Sequence, residues 1–388
     1  MRKKGFLVIF HTPSNAGYAM SPLEKTFFRM ACTFTGSSKN VHFAYSSLSS
    51  GKPETLPEGF ENIVEFSYGN ITQFQRMSSY ISEHNIAYAF CFDLQVNSPA
   101  CKLMRAAGVE TIFSYWGSTI SGLNRGVKLL MKRIEVFLRS SKPNHFIFES
   151  EAMQHYAVNG RGINHKNTSV IATGIDTDKY SPLNSSEFYL QTEFYLQTEF
   201  GIPEGSFVLF YSGHMEKRKG VQIIIDAMRV LVDDLGLNDV YCLITGNREG
   251  EELPFIEQLQ GSGAIDRVVF GGYRKDLDSI MPECDVGVIA SIGWDSFPMS
   301  SLEMASCGLP LVVSRLQGLV ETIVDGETGY LFEPGDSFEL AGKVEKIYKS
   351  ELLQKSLGSS GRARIVKNYS TEIQLQKLQS CLEKIVKA

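Results

Sequence analysis

Two carboxylates, Asp295 and Glu303, stand eight positions apart in the run W-D-S-F-P-M-S-S-L-E. The run before them, D-V-G-V-I-A-S, is apolar and β-branched and reads as a buried strand. Pro298 and the serines after it hold helix-start positions, so residues 300–307 read as a helix. Asp295 then belongs to the loop at the strand's carboxyl end, and Glu303 lies about two turns into the helix. The unpaired N–H groups of a helix start suit a phosphate, and the two acids suit hydroxyl groups on either side of it.

A second cluster, S-G-H-M-E-K-R-K-G, spans 212–220. Gly213 permits a sharp backbone turn after a strand. Lys217, Arg218 and Lys219 set three cations beyond that strand's end, where they could neutralise a diphosphate. Alone, such a run reads as a solvated basic turn, because charge runs usually face water. Its pairing with Asp295 and Glu303 favours the anion site.

The elements that must position these residues alternate between strand and helix. In the first half, strands are expected at 6–10, 41–45, 86–92, 111–115, 145–149 and 169–172, with helices at 21–34 and 71–83 among those between them. In the second half, strands are expected at 207–212, 240–245, 267–270, 286–290 and 311–314. Helices there are expected at 221–235, 300–306, 318–324 and 337–349, with a last one at 371–387. This alternation predicts an α/β protein of two doubly wound parallel sheets, with ligands between their carboxyl ends. The expected divisions are 1–182, a linker at 183–202 holding the tandem hexamer E-F-Y-L-Q-T, 203–365, and a closing helix segment at 366–388. The hexamer is too short for a structural repeat and reads as a duplication tolerated at a surface.

Composition narrows the classes. A chain of 388 residues suits two cores. A net charge of −5 gives no reason to expect a nucleic-acid partner. The seven cysteines are scattered without a C-x-x-C pair, as in a reducing compartment. The N-terminal apolar run is too short for a signal peptide and no run has membrane-spanning length, so a cytoplasmic protein is expected. From Arg125 to Lys142 the chain is basic and amphipathic, with Val127, Leu130, Met131, Ile134 and Leu138 on one helical face. Such a face could meet anionic lipid at the inner side of a membrane, which suits a lipid-linked acceptor. A helix between two strands must cover its sheet, so burial of that face is the expectation.

The combined pattern resembles the family-4 (group 1) retaining glycosyltransferases of GT-B fold. The resemblance rests on the Gly213–Gly220 cluster, the spaced acids Asp295 and Glu303, G-L-P-L-V-V-S and G-L-V-E-T-I-V-D-G-E-T-G-Y-L-F-E-P-G-D. Upstream, E-S-E-A-M-Q-H-Y and V-I-A-T-G-I-D-T-D-K-Y-S-P extend it over most of the chain. It implies that Glu303 bonds the ribose of a sugar nucleotide and that Asp295 meets the donor sugar near the reacting carbon. The backbone at Phe297, Met299, Ser300 and Ser301 would meet the sugar or the β-phosphate. Lys219 and Arg218 would stabilise the departing diphosphate. Gly17 would sit in a small-residue loop after the first strand that admits the phosphates; an ordinary turn glycine is the other reading. Tyr273 and Arg274 would lie by the nucleobase.

The chain also departs from the family pattern. Asp295 replaces the commoner Glu, and Gly213-His214 replaces Gly-Arg. His214 is either a phosphate donor or a spectator. Trp116 stands where the family often has His, either to stack on a sugar or as a core aromatic. The resemblance implies a UDP-sugar donor, with GDP-mannose next, a hydroxyl acceptor (sugar, lipid-linked glycan or small molecule) and no bound cofactor. The one D-x-D in a plausible position, Asp176-Thr177-Asp178, matches a family pattern without a metal role, so no metal is expected. A nucleotide-sugar epimerase, or a binding protein with a decayed site, are the competing readings.

Overall fold

The computed structural model describes residues 4–17, 20–118, 120, 123–183 and 195–387. It divides into two compact units, Met1–Gly174 with Thr371–Ala388, and Ile175–Ser370.

The first unit is a parallel sheet of β1 (Gly5–Ile9), β2 (Val41–Tyr45), β3 (Ile63–Glu65), β4 (Ile86–Phe92), β5 (Thr111–Trp116), β6 (His145–Phe148) and β7 (Thr168–Val170), ordered β3-β2-β1-β4-β5-β6-β7. β1 and β5 are buried along their whole length, as strands covered on both faces must be. One face is packed with aromatics, Phe6, Phe10, Phe27, Phe43, Phe90 and Tyr115. The closing helix Thr371–Lys387 joins that layer through Leu378 and Leu382, and Gln374 accepts from the Gly174 N–H at 3.0 Å.

The second unit holds β8 (Phe207–Ser212), β9 (Val240–Thr245), β10 (Val268–Gly272), β11 (Val286–Ile289), β12 (Leu311–Ser314) and β13 (Gly329–Phe332), also parallel, ordered β10-β9-β8-β11-β12-β13. Helices Val221–Arg229 and Ser337–Tyr348 cover one face with Ile224, Ile225, Leu340 and Val344.

Several elements differ from the sequence expectations. The edge strand β3 and the strand β13 were not anticipated, because three or four residues show no measurable alternation. The expected helix at 221–235 is α-helical only to Arg229 and continues as a π-helical turn, Val230–Asp234. The segment at 318–324 is a 3-10 turn, Gln317–Glu321. A long helix, Glu351–Asn368, was not among the expected elements and contains the run G-S-S-G at 358–361. Its Gly358 lies so close to the Gly308 carbonyl that a Cβ would be 2.0 Å away, so the glycine there serves packing.

The first hexamer copy and the start of the second lie outside the described residues. The rest of the second copy opens the helix Tyr195–Phe200, whose first N–H groups are capped by Glu283.

The largest correction concerns the basic segment. Its helix, Gly126–Leu138, buries only Val136 and leaves Val127, Leu130, Met131, Ile134, Phe137 and Leu138 exposed.

Candidate active site

In each sheet the winding reverses at one place, and open α/β sheets bind ligands outside the strand ends at that place. In the second unit it lies between β8 and β11. The two predicted clusters follow those two strands.

The loop after β8 forms a 3-10 turn, Lys217–Lys219, and ends at Gly220 with φ 75°. A Cβ at Gly220 would sit 1.7 Å from the Ala290 carbonyl oxygen, so only glycine lets the two loops touch there. The touch is completed by hydrogen bonds from the Ile292 and Gly293 N–H groups to the Arg218 carbonyl, at 2.8 and 3.2 Å. On the other side, a Cβ at Gly318 would lie 1.4 Å from the Ser296 carbonyl oxygen. The W-D-S-F segment is thereby held between two glycine contacts.

This clamp sets the chemistry. Lys219 Nζ lies 2.7 Å from Asp295 Oδ2, and Ser291 Oγ donates to the same oxygen at 2.8 Å. Asp295 is 6% exposed. Arg218 donates to the Trp294 carbonyl at 3.1 Å and pairs with Glu216. The helix Met299–Ser306 starts immediately after Pro298, whose missing N–H costs nothing there. Ser301 Oγ is spent on the Pro298 carbonyl at 2.7 Å, while Met299 and Ser300 are half-buried at the helix start. Glu303 is 1% exposed and Phe297 packs on Tyr369. Gly213 follows β8 directly, and the exposed His214 accepts the Tyr211 hydroxyl on its carbonyl at 2.9 Å. Two cations, a buried acid and a helix start thus meet at one strand reversal, an arrangement that can hold a phosphate group beside a hydroxyl-bearing ring.

Other predicted residues fall elsewhere. Tyr273 is exposed beside a cavity of about 830 Å³ that also touches Asn247, Phe270 and Gly272. Arg274 is committed to its own unit. It pairs with Asp276 at 2.5 Å and Glu199 at 2.7 Å, meets the Tyr195 hydroxyl at 2.8 Å, and lies over the Phe200 ring. Its guanidinium holds the Asp276 carboxyl down at about 2. Trp116 is 4% exposed, donates to Ser114 and packs on Phe148, so its ring is not offered to a sugar. Gly17 has φ 110° with open space around its α-carbon, as a loop glycine after β1.

Sequence reading missed the first unit's reversal, between β1 and β4. His11 stacks on Phe92 there, with ring centroids 5.6 Å apart. Asp93 follows with φ 55°, in the left-handed region a non-glycine residue rarely adopts. Its carboxylate accepts from the N–H groups of Gly117 and Ser118 at 3.0 and 3.2 Å. Behind it Glu149 accepts from Thr173 at 2.8 Å, and burial, reinforced by the Asp93 charge, pushes its carboxyl up to about 8. A polar residue directly after each strand was the available signal; no spacing rule singles these residues out.

Known structures place this architecture. The chain matches a glycosyltransferase from Rickettsia africae ESF-5 over 100% of both chains, with a TM-score of 0.81 and 16% identity. It matches HepE of Anabaena, solved in complex with UDP, over 98% of this chain and 100% of that one, at 0.76 and 18%. The fold is GT-B, two Rossmann-like units. Residues 196–364 match the family described as glycosyl transferases group 1, the group that the sequence resembles. The capsular polysaccharide biosynthesis glycosyltransferase CapM of Staphylococcus aureus is 25% identical over 69% of this chain and 68% of its own length.

Proposed function

We propose that the protein moves a hexose from a nucleoside-diphosphate sugar to a hydroxyl acceptor in glycan biosynthesis, with retention of anomeric configuration and without a metal. The observation that carries this is the Lys219–Asp295 pair at the β8/β11 reversal, beside the Met299–Ser306 helix start. Lys219 and Arg218 would supply, as fixed cations, the positive charge a departing diphosphate needs. Asp295 is the carboxylate nearest that cation, and Glu303 is assigned to the ribose. No side chain beside the pair is placed as a nucleophile, so departure of the diphosphate precedes attack, with the leaving phosphate taking the acceptor proton. HepE was crystallised with UDP and with UDP-glucose, which favours a UDP-sugar over GDP-mannose. The relationship to CapM supports a glycan acceptor. The His11–Asp93 crevice is the acceptor side of this reading.

The test is turnover of UDP-glucose, UDP-galactose and GDP-mannose with a panel of methyl glycosides, the product anomer read by NMR. One donor consumed with a retained linkage supports the proposal. Isomerised nucleotide sugar without acceptor would mark an epimerase. Glu303→Gln should weaken UDP binding; unchanged affinity removes the ribose assignment.

A further inference from the structure

The helix Gly126–Leu138 leaves six large apolar side chains in solvent, each between 51% and 77% exposed. Spaced at about 100° per residue, they fall within an arc of about 120°. Val136, the one buried residue, points to the opposite side, so the apolar stripe faces directly away from the unit. A stripe of this kind is normally what a helix buries.

Its charges say what covers it. Residues 125–142 hold six cations, Arg125, Lys128, Lys132, Arg133, Arg139 and Lys142, and one acid, in a chain of net charge −5. That acid, Glu135, is neutralised by Lys132 at 2.9 Å and Arg139 at 3.0 Å. Lys142 caps the helix by donating to the carbonyls of Val136, Phe137 and Arg139. A second copy of this face would set the same cations against each other, whereas anionic headgroups pair with them. At roughly 20 Å the helix is too short to cross a bilayer, so it suits the interfacial plane.

We infer that Gly126–Leu138 is a docking helix for an anionic lipid surface, with Val127, Leu130, Met131, Ile134, Phe137 and Leu138 inserted and the flanking cations at the headgroups. This inference is independent of the transferase reading, and its failure leaves that reading untouched.

The test is flotation of the full chain with phosphatidylcholine vesicles, with and without phosphatidylglycerol. The wild type should float with the anionic vesicles, poorly with the neutral ones, and release at high salt. Leu130→Ser with Phe137→Ser should weaken partitioning roughly tenfold or more while leaving the melting temperature and UDP affinity unchanged. Lys128→Glu with Arg133→Glu should abolish the preference for phosphatidylglycerol. No flotation with anionic vesicles, or flotation that the serine variant leaves intact, overturns the inference. So does a dimer in solution that the serine variant dissociates in the absence of lipid binding.

Discussion

The two sheets reverse in the same way and carry opposite chemistry at the reversal. Between β8 and β11 the loops are pinned backbone to backbone through Gly220 and Gly318, and the side chains present are Lys219, Arg218 and Asp295. Between β1 and β4 the side chains are His11, Phe92 and Asp93, with the buried Glu149 behind them. The second unit's reversal sets Lys219 and Arg218, paired with Asp295 and Glu216, near a helix start, and we propose it for a diphosphate. The first unit's holds the Asp93 carboxylate with no cation paired to it among the described residues, and we propose it for a neutral hydroxyl. The topology is the same in both units, and the loop residues decide what each reversal can hold.

The comparison breaks most sharply at Lys219. Lys219→Ala should lower kcat/KM for donor turnover about 10²–10³-fold, the size of one lost transition-state charge contact. Trp116→Phe, in the core of the first unit, should stay close to wild type in the same assay. Next, Gly220→Ala must displace the Ala290 carbonyl and hold φ 75°. We expect it to cost about 1–3 kcal/mol of stability or more, read by denaturant melts, and to weaken UDP binding. Asp93→Asn keeps the bonds from the Gly117 and Ser118 N–H groups but removes the charge. It should raise the acceptor KM about tenfold and leave UDP affinity unchanged.

The smallest effect is on pH dependence. Burial raises the Glu149 carboxyl to about 8, so the folded state holds a proton that the unfolded chain gives up. Its stabilising contribution is fully present below about 4.5 and is lost as pH rises through about 8. His42, lowered to about 4 by burial and by the neighbouring His84, acts at the other end. It stays neutral when folded, and its contribution is present above about 6.5 and lost as pH falls through about 4. Glu149→Gln should flatten the decline between about pH 4.5 and 8 and leave the His42-dependent loss toward pH 4 in place.

Much of this architecture is legible in the chain. Continuous buried runs such as F-V-L-F-Y-S and V-Y-C-L-I-T coincide with β8 and β9, because a parallel sheet covered on both faces needs unbroken apolar strands. The meeting of Lys219 with Asp295 is foreshadowed by two clusters that each follow a strand. What stays hidden depends on tertiary contact. The need for glycine at Gly358 shows only once the Gly308 carbonyl is seen against it. The pairing of Arg274 with Glu199 and Tyr195, as well as with Asp276, joins residues far apart in the chain and shows only in the fold. The Gly126–Leu138 helix has the pattern of a sheet-covering helix, and periodicity alone cannot say whether protein or something else covers its stripe.

The most direct measurement is a calorimetric titration of UDP into the wild type, Lys219→Ala and Asp93→Asn. The account predicts one UDP per wild-type chain, at least roughly tenfold weaker binding for Lys219→Ala, and unchanged binding for Asp93→Asn. No binding to the wild type, or binding lost in Asp93→Asn and kept in Lys219→Ala, would contradict the assignment of the diphosphate to the second unit's reversal.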